Sequence, residues 1–228
     1  MKIQLIIILS LLFTSCTTIF FEEAQPFGVN SLESFPTKLQ GKFISETDTF
    51  IVEEKKYSFP LVYEDKISMD SVNVDPTLTI KDGLFYSEDI PLKTGIKYTI
   101  ENDSLHYKKQ IRAYKTLSDS LILKKFKKYY VLSELNNEYK YWTVMLIRTA
   151  NDDLEVNMVG YLKTEDDSGP DEDYDARLDQ FFKITEFKKI ESHTYLTNPS
   201  KSEFKKLVDK GLFSADIHLG RIESNTSE

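Results

Sequence analysis

One local grammar recurs along the chain and limits what it can fold into: an Asx or Ser turn, then a leucine, then alternating side chains. Asp82-Gly83-Leu84, Asn102-Asp103-Ser104-Leu105, Asp119-Ser120-Leu121 and Asn151-Asp152-Asp153-Leu154 all follow it. Asn and Asp bond nearby backbone and tolerate positive φ, so they suit tight reversals. Strands joined this closely pair antiparallel, because a parallel pair needs a crossover of a dozen residues or more. Ile96, Tyr98 and Ile100 alternate with Lys97, Thr99 and Glu101, a strand with one wet face. Leu105, Tyr107 and Ile111 share a face, and His106, Lys108, Gln110 and Arg112 take the other. Leu154, Val156 and Met158 alternate with Glu155 and Asn157. Tyr141–Ile147 is apolar on both faces, which predicts a central strand covered on both sides.

Toward the C-terminus the period changes. Pro199-Ser200-Lys201-Ser202-Glu203 reads as a helix start, with Ser200 as cap and Glu203 at the capping-box position. Phe204, Leu207 and Val208 form an apolar stripe, and Gly211 is placed to stop the helix. Arg177–Ile190 fits helix or strand, and Leu212–Ile222 predicts a last strand. The expected fold is mainly β: an antiparallel meander forming a sheet or barrel-like domain, with a C-terminal α-helix as its only substantial helix. The aromatic content, 13 Tyr and 15 Phe, suits pleated, half-buried strands. No long linker interrupts the body, so residues 36–222 are expected to form a single β-rich domain, with 223–228 a disordered tail.

The N-terminus reads as an address. Lys2 precedes Ile3–Phe13, an apolar run broken by Gln4 and Ser10 and shorter than the ~20 residues a membrane span needs. Leu12-Phe13-Thr14-Ser15-Cys16 follows, and Cys16 is the only cysteine of the chain. This segment resembles the bacterial lipobox, in which small residues precede a lipidated cysteine. Thr14 and Ser15 match the small positions, and Phe13 stands where the family has an aliphatic residue. The resemblance implies a signal peptide over 1–15, diacylglycerol on the thiol of Cys16, cleavage before it and acylation of the new amine. Several acyl chains, at about 0.8 kcal/mol per buried CH₂, anchor where one chain would not. Residues 16–35 then read as a lipidated tether, in which Ile19, Phe20 and Phe21 lie against the membrane or pack back on the domain. Thr17 after the cysteine agrees with sorting to the outer membrane in the enteric scheme, so the expected place is the cell envelope, lipid-anchored, with the outer membrane favoured over the inner.

Charge and motifs narrow the function. The formal net charge of −8 repels a phosphate backbone, so no nucleic acid partner is expected. With one cysteine the chain has no internal disulfide and no cysteine-based metal site. His106, His193 and His218 show no metal-ligand spacing and read as structural or solvent-facing. The sequence lacks a G-x-S-x-G elbow and a phosphate-binding loop. The acidic stretch Glu165–Asp175 lacks the spacing of an EF-hand and reads as a solvated loop. Lys124, Lys125, Lys127 and Lys128 around Phe126 form a basic patch suited to headgroups or an acidic partner, or simply a hairpin tip. Leu39 followed by Gly41-Lys42-Phe43 is similar to the first-strand G-x-W of lipocalins, with Phe43 in place of Trp; the resemblance implies a small barrel and carries no ligand with it.

The expectation is a membrane-anchored binding or interaction module, not an enzyme, with no catalytic residue, metal or cofactor assigned. Its partners are the membrane through the lipid on Cys16, and an envelope protein, glycan or apolar ligand. An envelope hydrolase with scattered catalytic residues and a structural or assembly lipoprotein of a membrane complex are the alternatives.

Overall fold

The structure is a computed structural model and describes residues 18–45, 48–88, 95–158, 178–191, 194–213 and 217–222. In chain order the strands are β1 (Thr18–Phe21), β2 (Ser31–Leu32), β3 (Gly41–Ser45), β4 (Asp48–Val52) and β5 (Lys56–Ser68). Helix α1 (Met69–Val74) precedes β6 (Leu78–Lys81), β7 (Leu84–Ser87), β8 (Tyr98–Glu101), β9 (Ser104–Thr116) and β10 (Leu121–Phe126). Then come β11 (Tyr129–Leu135), β12 (Trp142–Ala150), β13 (Asp153–Met158), β14 (Phe187–Glu191), β15 (Thr194–Thr197), helix α2 (Lys201–Asp209) and β16 (Ile217–Ile222).

The Asx turns do what their chemistry predicts. Asn102 and Asp103 both take positive φ, 49° and 58°, and close Glu101 against Ser104. Asn151 and Asp152 do the same between Ala150 and Asp153, and Asp82-Gly83 between Lys81 and Leu84. These are two-residue loops whose positive φ matches the right-handed twist of the strands they join.

The main sheet is antiparallel along β12-β13-β16-β3-β4-β5-β9-β8, and β11 and β10 continue it from the other edge of β12. It coils strongly. Leu121 of β10 and Tyr57 of β5 belong to one apolar cluster with Phe43, Leu123, Leu132, Leu154 and Leu219. They lie seven strand steps apart in the sheet order, about 34 Å if the sheet were flat. Only a sheet curled on itself brings them together. A hydrogen bond of 2.8 Å from Leu117 N to Lys55 O ties the two ends of this curve.

The other face of β10–β12 carries a second core. Val131, Val144 and Leu146 meet Ile19, Phe21, Phe181, Phe204, Leu207 and Val208. Tyr141–Ile147 is thus covered on both sides, as its sequence predicts: Val144 and Leu146 face α2, Met145 and Ile147 face the curved core. The helix is capped as expected. Ser200 accepts from Glu203 N, and Glu203 takes Ser200 N at 2.8 Å. At its end Gly211 has φ 65°, with Gly211 N on Val208 O and Leu212 N on Leu207 O, a Schellman closure.

Several expectations need correction. Residues 18–35 do not form a tether; β1 lies inside the sheet, parallel to β15 from Thr18↔Thr194 to Phe21↔Thr197, and Phe21 is fully buried. The reason is apolar area: Ile19, Phe20 and Phe21 are all buried, and each leaves water on docking into the sheet. That pair also makes the sheet not purely antiparallel. The C-terminal helix is accompanied by a shorter one: α1, six residues long, is capped by Ser68, which accepts from Ser71 N, and buries Val72. The ambiguous stretch resolves into both alternatives, a helical turn at 178–182 and then β14.

Candidate functional site

Strands β5 and β9 pair over their whole lengths, from Lys56↔Thr116 to Ser68↔Ser104, a two-stranded ribbon about 40 Å long. Its first half belongs to the curved sheet. Its far half carries a separate small core, in which Val72, Phe85, Ile96, Leu105 and Tyr107 are buried with help from Ile67, Met69, Leu78, Ile80 and Tyr98. Between the two, Val62 is 45% exposed. The ribbon therefore leads from a large core to a small one that α1, the β6–β7 hairpin and β8 build for themselves.

An open concavity of about 580 Å³ lies on this far half, lined by Glu64, Asp65 and Lys66 of β5, by Lys97, Tyr98 and Thr99 at β8, and by His106, Tyr107 and Lys108 of β9. The register explains the lining. Lys66, His106 and Thr99 are directly cross-strand from one another, and Glu64 faces Lys108 in the next row of that face. The strict alternation that puts Leu105 and Tyr107 toward the small core points His106 and Lys108 away from it. Glu64 and Lys108 pair at 3.0 Å, both well exposed. Burial, and then the charge of Asp65, push the Tyr107 phenol up from its ordinary pKa. Strand β8 ends the sheet order; the Phe85–Ile96 bridge holds β7 to the chain just before it, and among the described residues β8 itself has no strand partner on its outer edge. Ile100 beside it is 52% exposed. The arrangement offers cationic and anionic heads, an imidazole and a main-chain edge to a polar, extended ligand.

Other sequence candidates fall elsewhere. Cys16, His193 and the acidic stretch Glu165–Asp175 lie outside the described residues. His218 meets Asp153 at 3.1 Å on the surface, and the other carboxylate oxygen of Asp153 accepts from Arg221 N, so the pair fastens a turn to β16. Among the described residues no group of three or more His, Cys, Asp or Glu is placed to hold a metal ion. Gly41-Lys42-Phe43 opens β3 with Phe43 fully buried. Arg221 lies 4.7 Å above that ring and donates to Gln40 O at 2.8 Å and Lys38 O at 3.0 Å. Gly41 is required there: its φ is 142°, and a Cβ would sit 2.4 Å from the Arg221 guanidinium.

The basic patch is redrawn. Lys124 is not part of it; the side chain is buried and donates to Ala24 O at 2.6 Å and Pro26 O at 3.1 Å. Burial holds its amine below the ordinary lysine range. It pins the segment that links β1 to β2 across β10, where Gln25 is also fully buried and donates its backbone N–H to Ser133 Oγ. Lys125, Lys127 and Lys128 remain exposed at the β10–β11 turn.

Alternation alone puts His106 on a polar strand face and gives no sign of the groove, because three strands make it and only their register brings the lining together. In comparisons with known proteins, no family model, no curated protein and no solved structure matches the chain.

Proposed function

We propose that the chain is a bacterial envelope lipoprotein, anchored through the lipid on Cys16, and that it works as a binding module for another envelope protein. The anchor rests on the lipobox-like segment ending at the only cysteine. The binding role rests on one observation above the others: the outer edge of β8, without a strand partner among the described residues, beside the polar groove of the ribbon. A strand edge takes an extended segment by main-chain hydrogen bonds, and the side chains beside it set the choice of partner. The mixed charges of Glu64, Lys66, Lys97 and Lys108 suit a peptide better than an apolar ligand.

A photo-crosslinking residue at Thr99, in the full chain in its native envelope, tests this. A discrete adduct at Thr99 and none at the exposed Thr79 of β6 is the expected result. Equal adducts at both positions, or none at Thr99, would overturn the reading.

A further inference from the structure

We infer that the basic end of the domain, made by the β10–β11 turn and the C-terminal half of α2, rests on the headgroups of an anionic bilayer. The inference depends on the proposed anchor at Cys16. Thr18 already pairs with Thr194 in the sheet. It stands two positions beyond Cys16, so the chain between them spans at most about 7 Å. A domain held that closely must present some face to the lipid.

Strand direction selects the face. β1 is antiparallel to β12 at Phe21↔Trp142. Running back from Phe21 to Thr18 therefore follows β12 forward, toward Ile147 and its partner Tyr130. The β10–β11 turn lies at that end, where Phe126 pairs with Tyr129. Helix α2 runs the same way: its last residue, Asp209, pairs with Lys127. Lys125, Lys127 and Lys128 on the turn and Lys205, Lys206 and Lys210 on the helix are all exposed. Asp209 is the carboxylate recorded among them, paired with Lys127 and Lys205. In a chain of net charge −8 such a concentration of lysine is out of keeping with the whole.

The turn is also short of counter-charge. Among the described residues neither Lys125 nor Lys128 has a carboxylate partner; they lie over Tyr130 and Tyr129, at 4.0 and 5.3 Å from the ring centres. Lys38 shares the Tyr130 ring with Lys125. Burial, and then the charge of Lys38, hold the Lys125 amine below the ordinary lysine range, an arrangement that a lipid phosphate would relieve. Aromatic rings beside lysines at a headgroup surface also suit that interface.

The full lipidated chain, with a fluorophore on Lys128→Cys, is placed in phosphatidylcholine vesicles with and without phosphatidylglycerol and a headgroup nitroxide quencher. Quenching at position 128 should exceed that of a Thr79→Cys label by about twofold or more when the anionic lipid is present at low salt. Adding Lys125→Glu, Lys206→Glu and Lys210→Glu should return it to the Thr79 level. Equal quenching at both labels, or quenching at 128 that ignores anionic lipid and salt, would overturn the inference. The mass of the Cys16 peptide reports separately on the anchor. If it carries no lipid, the proposed anchor fails, and sedimentation of the full Cys16→Ser chain decides: pelleting with phosphatidylglycerol vesicles beyond phosphatidylcholine ones keeps the basic surface, and equal pelleting ends it.

Discussion

The β11–β12 pair and the far half of the β5–β9 ribbon are both antiparallel, yet they differ in what stands on their faces. Val131, Val144 and Leu146 are buried under α2, and Leu132 and Ile147 are buried in the curved sheet. The ribbon has one apolar face, supplied with five buried residues, and one face of Glu64, Lys66, His106 and Lys108 open to solvent. Doubly covered strands hold the fold because the side chains of both faces leave water, each set against its own layer. Singly covered strands are left free to carry a site, and binding elements are drawn from the less stable parts of a protein.

The sharpest way to break the comparison is to truncate one core residue in each region. Leu146→Ala should cost about 2–5 kcal/mol of global stability, through lost transfer energy and a residual cavity. It should lower the urea midpoint with little change in slope. Phe85→Ala removes a fully buried ring from the small core. Its cost should appear as local opening, with hydrogen exchange accelerating in β6–β9 and the midpoint of the main transition nearly unmoved. Equal loss of the main midpoint in both variants would mean the two regions unfold as one.

Within the main body, Lys124→Met removes a buried donor. It leaves Ala24 O and Pro26 O without their donor, which should cost about 1–3 kcal/mol in urea unfolding. Because the folded-state pKa of Lys124 is lowered, the unfolded chain holds more protons between the folded and the ordinary lysine pKa. Wild-type stability should therefore gain as pH rises through that window, and the Met variant should lose that gain. Ser200→Ala has the smallest expected effect. It breaks the capping box for about 0.5–2 kcal/mol, read as a lower urea midpoint.

What was legible in the sequence follows the same division. Tyr141–Ile147, the Ser200–Glu203 cap with its Phe204/Leu207/Val208 stripe, and the Asx-Leu turns all carry local signals, and the structure realises each of them. The meander reading held for the same reason. Sequence alone leaves Ile19–Phe21 open between membrane and domain, because the partner of β1 in β15 is 176 residues away and a short aromatic run looks the same in a tether and in a sheet. Lys124 was misread because alternation alone would leave it on a wet face; the segment 22–28 folds over β10 and covers it. The groove was illegible because Lys66, His106 and Thr99 come together only through the register of three strands.

The proposed place of work and the proposed orientation both depend on the anchor at Cys16. Cells expressing the full chain are grown with an alkyne fatty acid, and the purified protein is read for label. The prediction is label on the wild type and none on Cys16→Ser. Equal label on both, or an unlabelled wild type, would contradict it.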